Sequence, residues 1–183
     1  KETLAAGLMR MTEWNGTNNL VDPLCGSGTF LIEAVSMLLG ISPGIDRQFL
    51  FKNWPDFDIS IWNKELKMAK KSRQLNKKLP KIIGCEVDET IANSARDNVL
   101  KAGLENYIEI INCPFQDFEL PTGLGLLICN PPYGKRIGDE NELTDLYEQL
   151  GDYCKKQASG WDLWLLNGNP KLSKYLGMKA NRR

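Results

Sequence analysis

The chain has 183 residues with 23 Lys plus Arg against 23 Asp plus Glu, so any affinity for nucleic acid or an anionic membrane must come from a local patch. It is 42% hydrophobic, enough for one domain with a core that excludes water. Histidine is absent, which excludes Ser/His and Cys/His nucleophile pairs, histidine general bases and most zinc sites, and no metal is expected.

The chain begins at Lys1 rather than at a methionine, so a piece of a longer protein is expected. No signal-peptide pattern opens it, and no apolar run approaches the roughly 18–20 residues of a membrane span. Residues 19–22 (NLVD) read as a short strand that breaks at Pro23 into the glycine turn CGSGT. Phe30, Leu31, Ala34, Val35 and Leu38 then recur at helical spacing. From Gly40 to Pro80 the pattern is irregular, with Pro43, Gly44 and Pro55 marking loops before a polar helix expected from about Ile61 to Lys78.

KIIGCE (81–86) reads as a second buried strand, and Ile91, Ala92, Ala95 and Val99 give the helix after it an apolar stripe that stops near Gly103. IEIINC (108–113), LGLLIC (124–129) and DLWLLN (162–167) are strands three to five, with Leu143, Leu146, Tyr147, Leu150 and Cys154 marking an amphipathic helix before the last. Strands alternating with helices predict an α/β fold, a doubly wound and mainly parallel sheet covered on both faces. Cys25, Cys85, Cys113, Cys129 and Cys154 form no C-x-x-C pair and mostly sit in apolar runs, which reads as reduced thiols in a cytoplasmic protein.

In open sheets of this kind ligands bind outside the carboxyl ends of the strands, near the point where strand order switches. Each conspicuous motif is predicted to fall at such an end. After strand one, Gly26 and Gly28 allow close backbone approach, and Asp22 can accept from a ligand amine. The turn by itself fits a dinucleotide, a nucleoside or a plain tight turn, although G-x-G without a third glycine disfavours the pyrophosphate fingerprint.

Glu86 at the end of strand two is placed to chelate two ribose hydroxyls, with Val87 against an adenine face and Asp88 as a further polar contact; a solvated loop acid is the bland reading. After strand three, Asp117 can accept from an adenine amino group while Phe118 or Phe115 walls the ring. Together these loops outline an adenosine pocket with no need for phosphate, which fits S-adenosylmethionine.

DPLCGSGTF, G-C-E-V-D, Q-D-F and NPPYG in this order resemble a class I methyltransferase of the amino-methylating group, a Rossmann-like fold. ETLAAGLMRMTEWNG, PGIDRQFLFKNWPDFD and NPPYGKR narrow the resemblance to the RlmL/YcbY type of THUMP-associated, UPF0020-type ribosomal RNA guanine 2-amino methyltransferases, over nearly the whole chain. The resemblance implies that residues 1–183 are a methyltransferase domain and that Asp22, Pro23, Cys25, Gly26, Gly28, Thr29, Glu86, Val87, Asp117, Phe118 and Asn130 line the cofactor. It places Asn130, Pro131, Pro132 and Tyr133 at the target base. It also implies an RNA-binding THUMP-type domain before Lys1 and a terminal strand hairpin after Arg183.

An exocyclic base amine is a poor nucleophile because its lone pair is delocalised into the ring. The Asn130 side-chain oxygen and the Pro131 carbonyl can each accept from the amine and turn its lone pair toward a methyl donor. Two consecutive prolines fix φ near −65° and restrict the residue before them, so both acceptors are held before the substrate arrives. Tyr133 is then placed to stack on the base.

An adenine 6-amino group, a tRNA guanine or a protein glutamine offers a comparable planar amine, and a silent RNA-binding module is the non-enzyme alternative. The stretch with Lys64, Lys67, Lys70, Lys71, Arg73, Lys77 and Lys78 against Glu65 suits either RNA phosphates or a solvated face. Trp14, Trp54, Trp161 and Trp164 read as packing residues.

Overall fold

All five apolar runs form strands: β1 (Asn19–Asp22), β2 (Ile82–Glu86), β3 (Glu109–Asn112), β4 (Gly125–Cys129) and β5 (Asp162–Leu165). They were identified in a computed structural model of the chain, which describes residues 2–134 and 140–181. Every pairing is parallel, in the order β3-β2-β1-β4-β5, with Val21 opposite both Ile83 and Leu127. The order reverses at β1 and β4, so the carboxyl ends of these two strands flank the switch point.

Alternate residues of the central strands feed two separate cores, as the period of 2 requires. Leu20, Leu126 and Ile128 face a core closed by α1 (Glu2–Met11), α2 (Thr29–Leu38) and α4 (Glu89–Lys101). Leu127 and Cys129 face the other, closed by Leu150, Tyr153 and Cys154 of α5 (Glu140–Gln157). Fully burying a Leu, Val or Phe side chain contributes about 1.5–3 kcal/mol, so Phe30, Leu31 and Val35 on one face of α2 are enough to fix that helix on the sheet. All five thiols are free, and no helix among the described residues is long and apolar enough to cross a membrane.

The structure departs from the sequence reading in four places. Helix α1 was not expected; its Ala5 and Met9 are buried against α2. Helix α3 runs over Ile59–Lys71, starting earlier than expected because the Asp58 carboxylate accepts from the amides of Ser60 (2.7 Å) and Ile61 (3.3 Å). It also ends earlier, where the Gln74 amide donates to Leu39 O at 2.8 Å and turns the chain back to α2. Trp54 is largely exposed, with an edge contact to Phe51, and Phe115 lies in the second core with its ring 5.4 Å from that of Tyr153.

Candidate active site

Two left-handed glycines make the turn after β1: Gly26 has φ 52° and Gly28 φ 77°. A side chain at either position would be strained by backbone conformation. At Gly26 a Cβ would meet nothing within 4 Å, so the space in front of it is open to a ligand. Gly28 leads directly into α2, whose first amides have no capping side chain.

The turn is locked to β2 by Glu86. One carboxylate oxygen accepts from the Gly26 amide at 3.1 Å and the other from the Asp88 amide at 2.9 Å. Neither bond exhausts its oxygen, since a carboxylate oxygen can accept more than once. Val87 beside it is strongly exposed, and Asp88 has a structural role. Its Oδ1 accepts from the amides of Thr90 (2.8 Å) and Ile91 (3.0 Å) and so caps α4.

Asp22 ends β1 at 1% exposure, and its carboxylate accepts from the Leu24 amide at 3.1 Å. Burial raises its pKa to about 8 against the Leu24 bond, which lowers it, and the nearby charge of Glu86 raises it further. A cationic ligand group near Asp22 would counter both effects that favour the neutral acid. Cys25 is buried, with its sulfur over Gly84 of β2, and burial pushes its thiol well above the usual range. It therefore reaches the cleft only through its backbone. Pro23 is buried, and the Thr29 hydroxyl lies 3.0 Å from that of Ser27.

The third loop is built on one short turn. Asp117 is exposed in a single 3-10 turn, Phe115–Asp117. Phe118 is half-buried with its carbonyl accepting from the Tyr153 hydroxyl at 3.1 Å, whereas Phe115 is buried.

Beyond β4, Asn130 is exposed and Pro131 buried, while Pro132 is half-buried. No described group hydrogen-bonds the Asn130 amide, so its oxygen is available. Because Val21 pairs with Leu127, Asn130 follows Leu127 by the same number of residues as Leu24 follows Val21, at the strand end that carries the glycine turn. Lys135 and Arg136 of the NPPYGKR segment lie outside the described residues.

One component was not foreseen. Tyr133 is 41% exposed and its ring packs over Gly168, where any Cβ would collide with it. Asn167 builds that loop after β5. Its oxygen accepts from the Asn169 amide (2.8 Å) and the Tyr147 hydroxyl (3.2 Å), and its amide donates to Asn169 O and Ser173 Oγ, both at 2.8 Å. Burial, reinforced by nearby Cys129 and Tyr133, pushes the Tyr147 phenol up to about 12, keeping it a donor. The signal was the N-G-N-P run at a fifth strand end, open to the same strand-end reasoning used for the others.

A parallel sheet in this order, with a glycine turn after β1, an acid at the end of β2 and NPPY after β4, is the fold of a class I methyltransferase. A family model described as the RMKL-like methyltransferase domain of UPF0020 matches residues 1–183, and the chain belongs to that family. It is 37% identical over 190 residues to ribosomal RNA large subunit methyltransferase K/L of Marinomonas sp. strain MWYL1, covering 100% of this chain and 26% of that protein. The crystal structure of SMU.472, named as a methyltransferase and complexed with SAH, superposes with a TM-score of 0.92 at 31% identity, over 100% of this chain and 48% of that one. A predicted N6-adenine-specific DNA methylase from Listeria monocytogenes gives a TM-score of 0.91 at 31% identity, over 100% of this chain and 47% of the other. The chain thus spans about a quarter to a half of the length of these relatives.

Proposed function

We propose that this domain transfers a methyl group from S-adenosylmethionine to the exocyclic 2-amino group of a guanine in RNA, with large-subunit ribosomal RNA as substrate. The observation that carries this reading is the unpartnered Asn130 amide on a Pro-Pro segment next to an open glycine turn tied to Glu86. The ribosomal assignment is supported by the Marinomonas relative, and the cofactor by the SAH bound to SMU.472. In the native protein we place the domain beside a THUMP-type RNA-binding domain, acting in the cytoplasm.

The cleft fits the cofactor. Glu86 has acceptor capacity left for two ribose hydroxyls, Val87 offers an exposed apolar face for the adenine, and Asp22 is a buried acid that a cationic amino-acid tail would stabilise in its charged form. Pro23, Cys25 and Thr29 contribute backbone around the turn, and Asp117 with Phe118 closes the far side. Bound S-adenosylmethionine supplies a methyl group made electrophilic by a positively charged sulfur.

The chain's own work is orientation. Asn130 Oδ1 and the Pro131 carbonyl accept hydrogen bonds from the two amine N–H groups, which favours a tetrahedral nitrogen and exposes its lone pair. Pro131 and Pro132 hold both acceptors, and Tyr133, braced by Gly168, presents a ring to the extruded base. The new N–C bond forms as the S–C bond breaks with its electron pair to sulfur, and the surplus amine proton leaves to water.

The test is methylation of large-subunit RNA from cells lacking the enzyme, followed by mass analysis of its nucleosides. N2-methylguanosine is the expected product. N6-methyladenine, the product suggested by the name of the Listeria neighbour, or methyl groups found only in protein would overturn the substrate.

A further inference from the structure

We infer that residues 42–81 form a second RNA-contacting surface, at the amino ends of the strands and away from the methyl-transfer site. This rests on the RNA reading above and adds where else the polyanion is held. Residues 42–81 contain ten of the chain's 23 Lys and Arg but four of its 23 Asp and Glu. A chain of zero net charge is therefore split into a segment of +6 and a remainder of −6. Such segregation is the electrostatic footprint of a polyanion site.

The fold displays this charge. Trp62, Leu66, Ala69 and Arg73 recur at helical spacing and are half-buried, which turns the opposite side of α3, carrying Lys64, Lys67 and Lys71, outward. No ion pair joins Lys64, Lys67, Lys70, Lys71, Lys77 or Lys78 to a described acidic side chain; Arg73 alone in this stretch is paired, to Asp46 at 3.4 Å. These lysines are thus left to a partner.

Beside them stands an aromatic knot that the sequence pattern concealed. Trp62 packs against Phe49 (5.8 Å), Phe51 (5.5 Å) and Phe57 (6.5 Å), and Trp54 against Phe51 (6.3 Å). Lys52 Nζ lies 4.5 Å over the Trp62 ring. Trp54 itself is 65% exposed, as a base-stacking platform requires. Where the segment rejoins the sheet, a concavity of about 350 Å³ is lined by Lys77, Lys78, Pro80, Asn106 and Tyr107, donors and an aromatic suited to a phosphate and its nucleoside.

Its location follows from the chain path. The segment leaves α2 and returns at Lys81, whose amide donates to Asn19 Oδ1 at the first residue of β1. It therefore projects from the end of the sheet opposite the glycine turn. Exposed Leu50, Ile59 and Ile61 would also suit a protein partner, but the concentration of unpaired lysines selects a polyanion, and the aromatic knot selects one with bases.

The experiment is a salt titration of binding between the full-length protein and a fluorescein-labelled, mixed-sequence single-stranded RNA. It compares the wild type with a Lys64→Gln/Lys67→Gln/Lys71→Gln variant, and S-adenosylmethionine binding is measured in parallel. Each phosphate contact contributes about 0.7 to the slope of log Kd against log salt for a single strand, so the triple variant is expected to lose about 2 from that slope. Trp54→Ala is expected to weaken binding about tenfold with the slope unchanged. Cofactor binding should be unaltered in both, and the Lys-to-Arg triple variant should keep the wild-type slope.

An unchanged slope in the glutamine variant would overturn the surface while leaving the RNA substrate standing. Loss of binding to phosphatidylserine vesicles with RNA binding intact would assign the surface to a membrane instead. A wild type that binds cofactor but no RNA at any salt would sink the substrate reading itself, and this surface with it.

Discussion

Around the carboxyl ends of the strands, polar groups are bonded across elements: Glu86 of β2 holds Gly26 after β1, and Tyr147 of α5 donates to Asn167 after β5. In residues 42–81 most bonds join near neighbours, such as Asp58 to Ser60, with Arg73 paired to Asp46 across the segment, and the ties to the rest of the chain are few, at Leu39, Gly40, Asn19 and Leu20 and from the Tyr107 hydroxyl to Leu75 O. The first region is rigid because the sheet holds it from several sides. The second is an outgrowth that shows its lysines and Trp54 to solvent, so a change there should leave the other end intact. Groups that must meet a reacting atom to within a fraction of an ångström belong to the first kind of region, and groups that gather a polyanion can work from the second.

Substitutions at the two ends can break this contrast. The largest effect is expected from Asn130→Ala, which should lower the methyl-transfer rate about 10²–10³-fold, the scale for removing one oriented polar group in a reacting site. Titration should show that the same variant still binds the cofactor. Methyl transfer at the wild-type rate would remove Asn130 from the chemistry. Glu86→Gln is expected to weaken S-adenosylmethionine binding about 10- to 100-fold, since a hydrogen bond to a charged group contributes about 1.5–3 kcal/mol. Calorimetric titration would measure this.

Asp22 gives the contrast a pH dependence. Its pKa is raised in the folded chain from 3.8 to about 8, so between these values the folded state holds a proton that the unfolded state has released. The stabilisation is present in full below pH of about 4 and is lost as pH rises toward about 8. Denaturant midpoints of the ligand-free chain should therefore show a falling contribution over this window, absent in Asp22→Asn. A slope that survives the substitution would assign it to other groups.

The smallest effects come from two helix caps of identical geometry. Asp88→Ala removes the cap of α4, whose Ala92, Ala95 and Val99 are buried, and should cost about 1 kcal/mol of global stability by urea denaturation. Asp58→Ala removes the cap of α3, which buries no residue fully, and should speed amide exchange in its first turn while leaving the global midpoint in place. Equal global losses from the two would show that residues 42–81 are integral to the core after all.

The strands and the turn were legible because their signals are local. Five apolar runs of strand length, each followed within two residues by Gly, Pro or an acid, define a parallel sheet with its chemistry at one edge, and Gly26 and Gly28 announce left-handed backbone without reference to any partner. The identity of Asn130 and the prolines likewise carries its own mechanical meaning. Less legible were residues whose role depends on a distant neighbour. The capping role of Asp88, toward two amides of α4, emerges only once that helix starts at Glu89. Phe115 looked like a pocket wall until Tyr153, 38 positions later, was seen to claim it.

By itself, then, the order of residues decided the secondary structure, the edge of the sheet on which the motifs gather and the reactive type of each motif, because hydrophobic period, proline and glycine act over a few bonds. Only the folded arrangement decided that Glu86 clasps the glycine turn, that Gly168 makes room for the Tyr133 ring and that α3 shows its lysines to solvent beside a knot of aromatic rings. Those outcomes depend on which surfaces meet across the sheet, and burial and hydrogen bonding between groups remote along the chain have no local signature.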